Sequence, residues 1–189
     1  MKLKHWMLGI LVFVCCNAQA QQDAALRLYG QSLLLGIPPQ WHKVHDGELG
    51  GMHSVEFVPA GETMAQWQEL ICLQAFDSMA KRIEAAAFLA EFSAQYQATC
   101  RGEWFYQPLG DIPTGVQAMM GCSRIDNQHG NGQTAQLLAE VGYYQVLQGQ
   151  NEIYLLHRSS RGTDFKGLQA DYQLPGSEKL NSLRLSFEN

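Results

Sequence analysis

Most of the short motifs that carry enzyme chemistry are missing from this chain of 189 residues. It has no G-x-S-x-G turn for a nucleophilic serine, no H-E-x-x-H pair for zinc, and neither G-x-G-x-x-G nor a Walker lysine for phosphate groups. It also lacks the C-x-x-C pair of redox enzymes. The sequence therefore predicts no catalytic residue, no metal site and no cofactor.

The first 20 residues have the layout of a secretory signal peptide. Lys2 and Lys4 form the positive segment, residues 6–16 the apolar segment, and Ala18-Gln19-Ala20 a small-residue cleavage site. The apolar segment is too short to span a bilayer, which needs roughly 20 residues. We expect an exported protein, periplasmic or secreted, that begins at Gln21.

Two cysteines at the end of the apolar segment leave a lipoprotein as the alternative. A lipidated cysteine normally follows a small residue, whereas Val14 precedes Cys15 here. We therefore expect cleavage after Ala20 and no lipid anchor.

Basic residues are scarce in the remaining 169 residues, which have 11 Lys and Arg against 18 Asp and Glu, a formal charge of −7. An acidic chain with scattered basic residues is a poor binder of nucleic acid or anionic membranes. No further apolar run approaches membrane-spanning length. The sequence thus predicts no nucleic-acid partner and no membrane span in the mature chain, and leaves an unknown protein or small molecule as the partner.

Three cysteines follow the signal peptide, at positions 72, 100 and 122. Export favours a disulfide, and an odd count leaves one thiol over. Cys72 lies within an apolar strand pattern, where a free thiol behaves as a small hydrophobe. We predict a Cys100–Cys122 bridge that ties a helix to the sheet, with Cys72 free.

Helical periodicity is strong in one segment, residues 79–98, for which Ser78 is a plausible N-cap. A shorter C-terminal helix, capped by Ser177, is predicted from the spacing of Leu180, Leu183 and Phe187. Residues 21–32 give no sharp signal and are expected to be a short helix or an extended lead-in. The apolar stripe of the long helix consists of Ala85, Phe88, Leu89, Phe92 and Tyr96.

Period-two alternation predicts strands for most of the other segments, and Asp46-Gly47 is a hairpin-turn signal. Runs of strands with few helices indicate a single α+β domain over residues 21–189, an antiparallel sheet of about six or seven strands covered by the two helices. The strands are expected near Trp41, Val55, Leu70, Trp104, Val116, Ala135 and Ile153.

The central stretch combines strand, turn and helix-start signals. Pro59 and Gly61 end a strand, and residues 63–66 fit a capping box that begins a short helical turn. The run Glu56-Phe57-Val58-Pro59-x-Gly61-Glu62-Thr63, with Trp67 and Gln74 after it, resembles a motif of small, functionally uncharacterised secreted proteins of Gram-negative bacteria. This resemblance brings no activity with it.

Upstream, Leu35-Gly36-Ile37-Pro38-Pro39-Gln40-Trp41 is similar to the Ile-Pro-x-x-Trp strand of Mog1/PsbP-like domains. That resemblance implies a fold and not a function.

A histidine cluster at the first hairpin is the natural place to look for a metal site. His42 and His45 are three positions apart, so on a regular strand they point to opposite faces. Solvated hairpin histidines are the favoured interpretation. The cluster consists of His42, His45 and His53 with Asp46 and Glu48.

Two carboxylates, Glu56 and Glu62, bracket the Pro-Gly turn. They could serve a hydrolase only if the fold held them at a fixed separation across a cleft. The favoured interpretation is structural, with Glu56 facing solvent or a neighbouring strand and Glu62 preceding a helix N-terminus. If a concave binding surface exists, we expect Trp41, Glu56, Glu62 and Trp67 to form it.

These observations favour an exported, non-enzymatic binding or accessory protein. A secreted hydrolase that uses the carboxylates near the Pro-Gly turn is the second hypothesis, because carboxylate enzymes often leave no local motif. A structural component of the envelope is the third.

Overall fold

A computed structural model describes residues 22–125, 137–174, 177, 179 and 183–187. The expected signal peptide lies outside these residues. The helices are α1 (Ala85–Thr99) and α2 (Phe165–Gln173). In chain order the strands are β1 (Gln22–Leu28), β2 (Gln31–Ile37), β3 (Trp41–Leu49), β4 (Met52–Pro59), β5 (Glu69–Phe76), β6 (Trp104–Ile112), β7 (Gly115–Ile125), β8 (Leu138–Gln148), β9 (Ile153–Gly162) and β10 (Leu185–Phe187).

The central layer is a seven-stranded sheet with the order β3-β4-β5-β9-β8-β7-β6. Every neighbouring pair is antiparallel. The chain forms the meander β3-β4-β5, crosses to the far edge by way of α1, and returns strand by strand until β9 pairs with β5. The predicted α+β fold with an antiparallel sheet is confirmed. The predicted strand start near Ala135 lies outside the described residues.

Helix α1 covers part of one face of this sheet, as its apolar stripe predicts. Phe88 and Leu89 pack against Met120 and Tyr144 on the central strands. The predicted start of the helix was wrong, because Ser78 adopts a left-handed conformation with φ 57° and its side chain caps nothing. The chain first turns out of β5 through a 3₁₀ turn at Met79–Lys81, and α1 begins only after Glu84.

The opposite face is covered by α2 and by a second sheet with the order β1-β2-β10. Leu33 and Leu35 of β2 are fully buried against the central sheet, and Tyr172 of α2 joins the same core. The sequence predicted neither α2 nor this sheet. Most of the predicted C-terminal helix lies outside the described residues, and Phe187, which was placed on its stripe, belongs to β10.

Two local turn predictions were also wrong. Residues 63–66 form no helical turn, because the backbones of Thr63 and Gln66 exchange hydrogen bonds at 3.3 and 3.0 Å in an isolated β-bridge. Asp46-Gly47 lies inside β3, and the β3–β4 turn falls at Gly50-Gly51, with φ of 60° and 80°. Two positive φ values suit two glycines better than an Asp-Gly pair.

The cysteine prediction is confirmed. Cys100, which ends α1, is bonded to Cys122 of β7 with a Cα–Cα distance of 5.6 Å. Cys72 is a free, buried thiol. In the described ranges, no helix is long and apolar enough to cross a membrane.

Candidate functional site

The face of the central sheet that carries α1 is only partly covered. The helix packs on β7 and β8, which leaves the same face of β3, β4 and β5 to form the floor of a cleft. This cleft has a volume of about 490 Å³. A cavity of this size is within the range of ligand pockets.

One row of side chains crosses the sheet beneath the cleft. His45, Glu56, Cys72, His157 and Tyr144 are successive cross-strand partners on β3, β4, β5, β9 and β8. Directly opposed residues of neighbouring strands lie on the same face of a sheet. The first four residues of this row line the cleft, and Tyr144 continues it under α1 against Phe92, with ring centroids 5.7 Å apart.

Glu56 is buried, with 7% of its surface exposed. Of the two predicted environments, solvent or a neighbouring strand, the structure shows the neighbouring strand. The Glu56 carboxylate accepts a weak hydrogen bond from the thiol of Cys72 on β5 at 3.8 Å. Burial, together with the nearby Glu56 charge, raises the pKa of Cys72 well above its usual value. Cys72 is therefore a neutral thiol rather than a nucleophile.

His157 lies at the inner end of the cleft and is held in one orientation. Its ring stacks on Tyr144 with centroids 5.0 Å apart, and Nδ1 lies 3.0 Å from the Ser159 hydroxyl. Burial, followed by the positive charge of Arg161, lowers the pKa of His157 to about 4. The imidazole is therefore neutral at neutral pH, as expected for a core histidine with one hydrogen-bonded nitrogen.

A salt bridge with aromatic neighbours forms the wall between the cleft and α1. Arg161 Nε donates to Glu140 at 2.7 Å, and the Tyr96 hydroxyl of α1 donates to the other Glu140 oxygen at 3.1 Å. The Arg161 guanidinium lies 3.8 Å from the centroid of the Trp67 ring. Charge pairing and cation–π contact together fix this wall.

Part of the outer cleft lining is apolar. Leu49, at the end of β3, has 81% of its surface exposed. Met52 and Met64 also line the cleft and are half-buried. Flexible methionines and an exposed leucine are typical of surfaces that bind other molecules.

The four predicted binding residues do not converge on one site. Glu56 and Trp67 line the cleft. Trp41 packs into the core on the opposite face, where the Arg158 guanidinium lies 5.2 Å from its ring centroid. Glu62 lies outside the cleft lining. The element that follows it is strand β5 and not a helix, and its carboxylate accepts a hydrogen bond from the backbone N–H of Gln68 at 2.8 Å, just before β5.

Sequence reasoning missed the contribution of β9. His157 and Arg161 are four positions apart on one strand and therefore share a face, but that spacing also fits an ordinary core strand. Glu140 meets Arg161 only because β8 pairs with β9 in this register. No local signal in the sequence could have joined them.

The hairpin histidines do not gather around one point. His45 lines the cleft, whereas His53 lies on the other face of the sheet with Nε2 2.8 Å from Asp46. Among the described residues, no group of three or more His, Cys, Asp and Glu side chains could hold a metal ion.

No protein-family model matches this chain, and no curated protein matches it. Solved structures do share its fold. The Ran-binding protein Mog1p of Saccharomyces cerevisiae is 13% identical, with 87% of this chain and 96% of that chain covered and a TM-score of 0.52. A mutant of Mog1 is 12% identical, with 87% and 95% covered and a TM-score of 0.55. The predicted Mog1 likeness is thus confirmed for the fold, and identity this low shows nothing more than the fold.

Proposed function

We propose that this protein is an exported, non-enzymatic binding protein that docks a partner protein at the cleft beside α1. The observation that carries the proposal is the cleft on the part of the sheet face that α1 does not cover, which has the exposed Leu49 in its lining. A contiguous concave surface with apolar edges favours association over a solvated monomer surface.

The class of partner follows from the rim and from the fold. Leucine and methionine side chains suit a protein surface better than a small polar metabolite. The yeast structure of similar fold is named as a Ran-binding protein, so a protein partner is consistent with this architecture. A nucleic-acid partner is disfavoured because the chain has more acidic than basic residues.

Export rests on two observations. The first 20 residues have the layout of a signal peptide. Cys100 and Cys122 form a disulfide, a bond that persists in oxidising compartments. Mass spectrometry of the exported protein should find an unlipidated chain that begins at Gln21, and a diacylated N-terminus would contradict this assignment.

Binding is favoured over hydrolysis because the two carboxylates of the hydrolase hypothesis do not face one another. Glu56 lines the cleft, whereas Glu62 holds the backbone at the start of β5. No observation on the described residues supports a second function.

The test is capture of partner proteins from envelope extract by the mature protein and by two matched variants. Leu49→Glu puts a charge on the cleft rim, whereas Leu174→Glu makes the same change at another exposed leucine, 58% exposed, at the end of α2. We expect Leu49→Glu to lose a partner that the wild type and Leu174→Glu both retain. Equal capture by both variants would rule out the cleft as the docking site.

A further inference from the structure

Within the part of the chain that the structure describes, Glu56 differs from two other carboxylates of the central sheet in having no lysine or arginine paired with it. Glu140 is paired with Arg161 at 2.7 Å, and Glu69 with Arg158 at 2.8 Å. No ion pair joins Glu56 to a lysine or arginine of the described ranges. Its one side-chain partner there is the weakly polar thiol of Cys72 at 3.8 Å. The carboxylate of a residue with only 7% of its surface exposed loses most of its hydration and gains little from a thiol.

The surroundings of Glu56 supply further acceptors. Ser54 lies two positions along β4 on the same face, and its cross-strand partner Gln74 lines the same cleft. The Glu56 carboxylate can only accept hydrogen bonds, whereas the Ser54 hydroxyl and the Gln74 amide can each accept or donate them. A group that donates several hydrogen bonds fits this floor better than an anion does.

Among the described residues, the one arginine that lines the cleft is already paired with another carboxylate. Arg161 is bonded to Glu140 and lies over the ring of Trp67. His157 is uncharged at neutral pH because its pKa is about 4. The cleft therefore presents a net negative floor to an incoming ligand.

The sides of the cleft are apolar. Met64, Trp67 and Leu70 contribute apolar surface to its lining. A ligand with an alkyl stem and a cationic head would bury the stem against these side chains and bring the head to Glu56.

We propose that the cleft binds a lysine or arginine side chain of the partner protein, with the ammonium or guanidinium group donating hydrogen bonds to the Glu56 carboxylate. This inference rests on the proposed function and names the group that the cleft selects. A charge-assisted hydrogen bond to a buried carboxylate is among the stronger polar contacts.

The direct test is titration of the mature protein with n-butylammonium and n-butylguanidinium, followed by the backbone amide resonances of Glu56 and Cys72 in ¹H–¹⁵N spectra. The uncharged control ligand is N-butylacetamide. We expect the two cations to shift these resonances to saturation and the neutral ligand to leave them in place. Equal shifts with the neutral ligand, or no shifts with either cation, would overturn the inference.

Two matched variants test whether the Glu56 carboxylate is the group that binds the cation. Glu56→Gln keeps the shape of the side chain and should weaken cation binding by about tenfold or more, the loss of one charge-assisted hydrogen bond. Glu91→Gln removes an exposed charge from α1 and should leave binding unchanged. Circular dichroism verifies that each variant is folded, and a folded Glu56→Gln protein with unchanged affinity would refute the assignment.

If Glu56→Gln does not fold, a lysine introduced next to Glu56 also tests whether a cation binds at this carboxylate. Gln74→Lys places an ammonium group diagonally across from Glu56, within reach of a long side chain. This variant should bind n-butylammonium much more weakly than Gln74→Met, which has a side chain of similar length, lacks the Gln74 carbonyl in the same way and carries no charge. Equal binding by the two variants would contradict the inference.

Partner capture separates this inference from the proposed function. We expect excess n-butylguanidinium to displace the partner that depends on Leu49. Cation binding without displacement would assign the cleft to a free amine and overturn the side-chain assignment. Absence of cation binding, while Leu49→Glu still abolishes capture, would leave the proposed function standing and remove only the inference about charge.

Discussion

The guanidinium of Arg161 lies 3.8 Å from the centroid of the Trp67 ring. Trp67 therefore already has a cationic partner within the protein, and 6% of its surface remains exposed. Its contribution to a ligand site is the shape and stability of the cleft wall rather than an open aromatic platform.

Replacing Arg161 tests this wall. In Arg161→Met, Glu140 keeps its burial and loses its charge partner, so we expect a loss of about 3–5 kcal/mol in the free energy of unfolding, measured by urea denaturation. Adding Glu140→Gln to Arg161→Met removes the unpaired charge and should restore part of that loss. An unchanged denaturation midpoint in Arg161→Met would show that the pair contributes no stability.

The disulfide gives a second prediction. Replacing Cys100 and Cys122 together by serine should preserve the fold and lower the free energy of unfolding by about 3 kcal/mol, because the unfolded chain loses a closed loop. Reductant should destabilise the wild type by a similar amount and leave the double variant unaffected. Peptide mapping under non-reducing conditions checks the connectivity, and a bridge that contains Cys72 would show it to be wrong.

The neutral His157 predicts a pH dependence of stability. Its pKa is about 4 in the folded protein, against an ordinary value of 6.5. Between these two values the unfolded chain binds a proton that the folded protein does not, so stability is complete above pH 6.5 and falls as the pH decreases towards 4. The slope contributed by one proton is at most about 1.4 kcal/mol per pH unit.

Denaturant unfolding at a series of pH values measures this slope. His157→Gln should flatten it between pH 6.5 and 4, whereas His42→Gln, which removes an exposed histidine of β3, should not. Superimposable profiles of wild type and His157→Gln would contradict the assignment.

Glu62 is expected to act on stability and not on binding. Its carboxylate accepts the backbone N–H groups of Gln68 at 2.8 Å and Glu69 at 3.3 Å. Glu62→Ala should therefore cost about 1 kcal/mol in thermal or urea unfolding. Glu91→Ala serves as the exposed control. Loss of n-butylammonium binding in a folded Glu62→Ala protein would instead place this residue in the ligand site.

Local patterns were sufficient for the central strands and for the apolar stripe of α1. Alternation predicted the strand that contains Val141 and Tyr143, and the structure buries both side chains in the same core. The pairing of Cys100 with Cys122 as a bridge between helix and sheet was also predicted. Strand alternation and helical spacing repeat within a few residues, so both can be recognised in the sequence without the tertiary structure.

Turns and helix starts were predicted less well. The Asp46-Gly47 signal was outweighed by Gly50-Gly51, and the Ser78 cap by the turn that leads out of β5. Strand pairing fixes where a connection must fall, and that pairing is set by distant residues. Local turn preferences decide where a turn lies only when the pairing of the flanking strands allows more than one turn position.

The sequence by itself determined the class of fold, the acidic charge, the disulfide pair and the likeness to Mog1-type domains. It could not determine the cleft, because the cleft depends on which strands become neighbours. Glu56, Cys72 and His157 lie far apart along the chain and become adjacent only through the pairing of β4 with β5 and of β5 with β9. The tertiary structure alone decided the long-range register that placed Arg161 against Glu140 and, among the described residues, paired no lysine or arginine with Glu56. This register follows from the packing of the whole sheet between α1 on one face and α2 with the second sheet on the other.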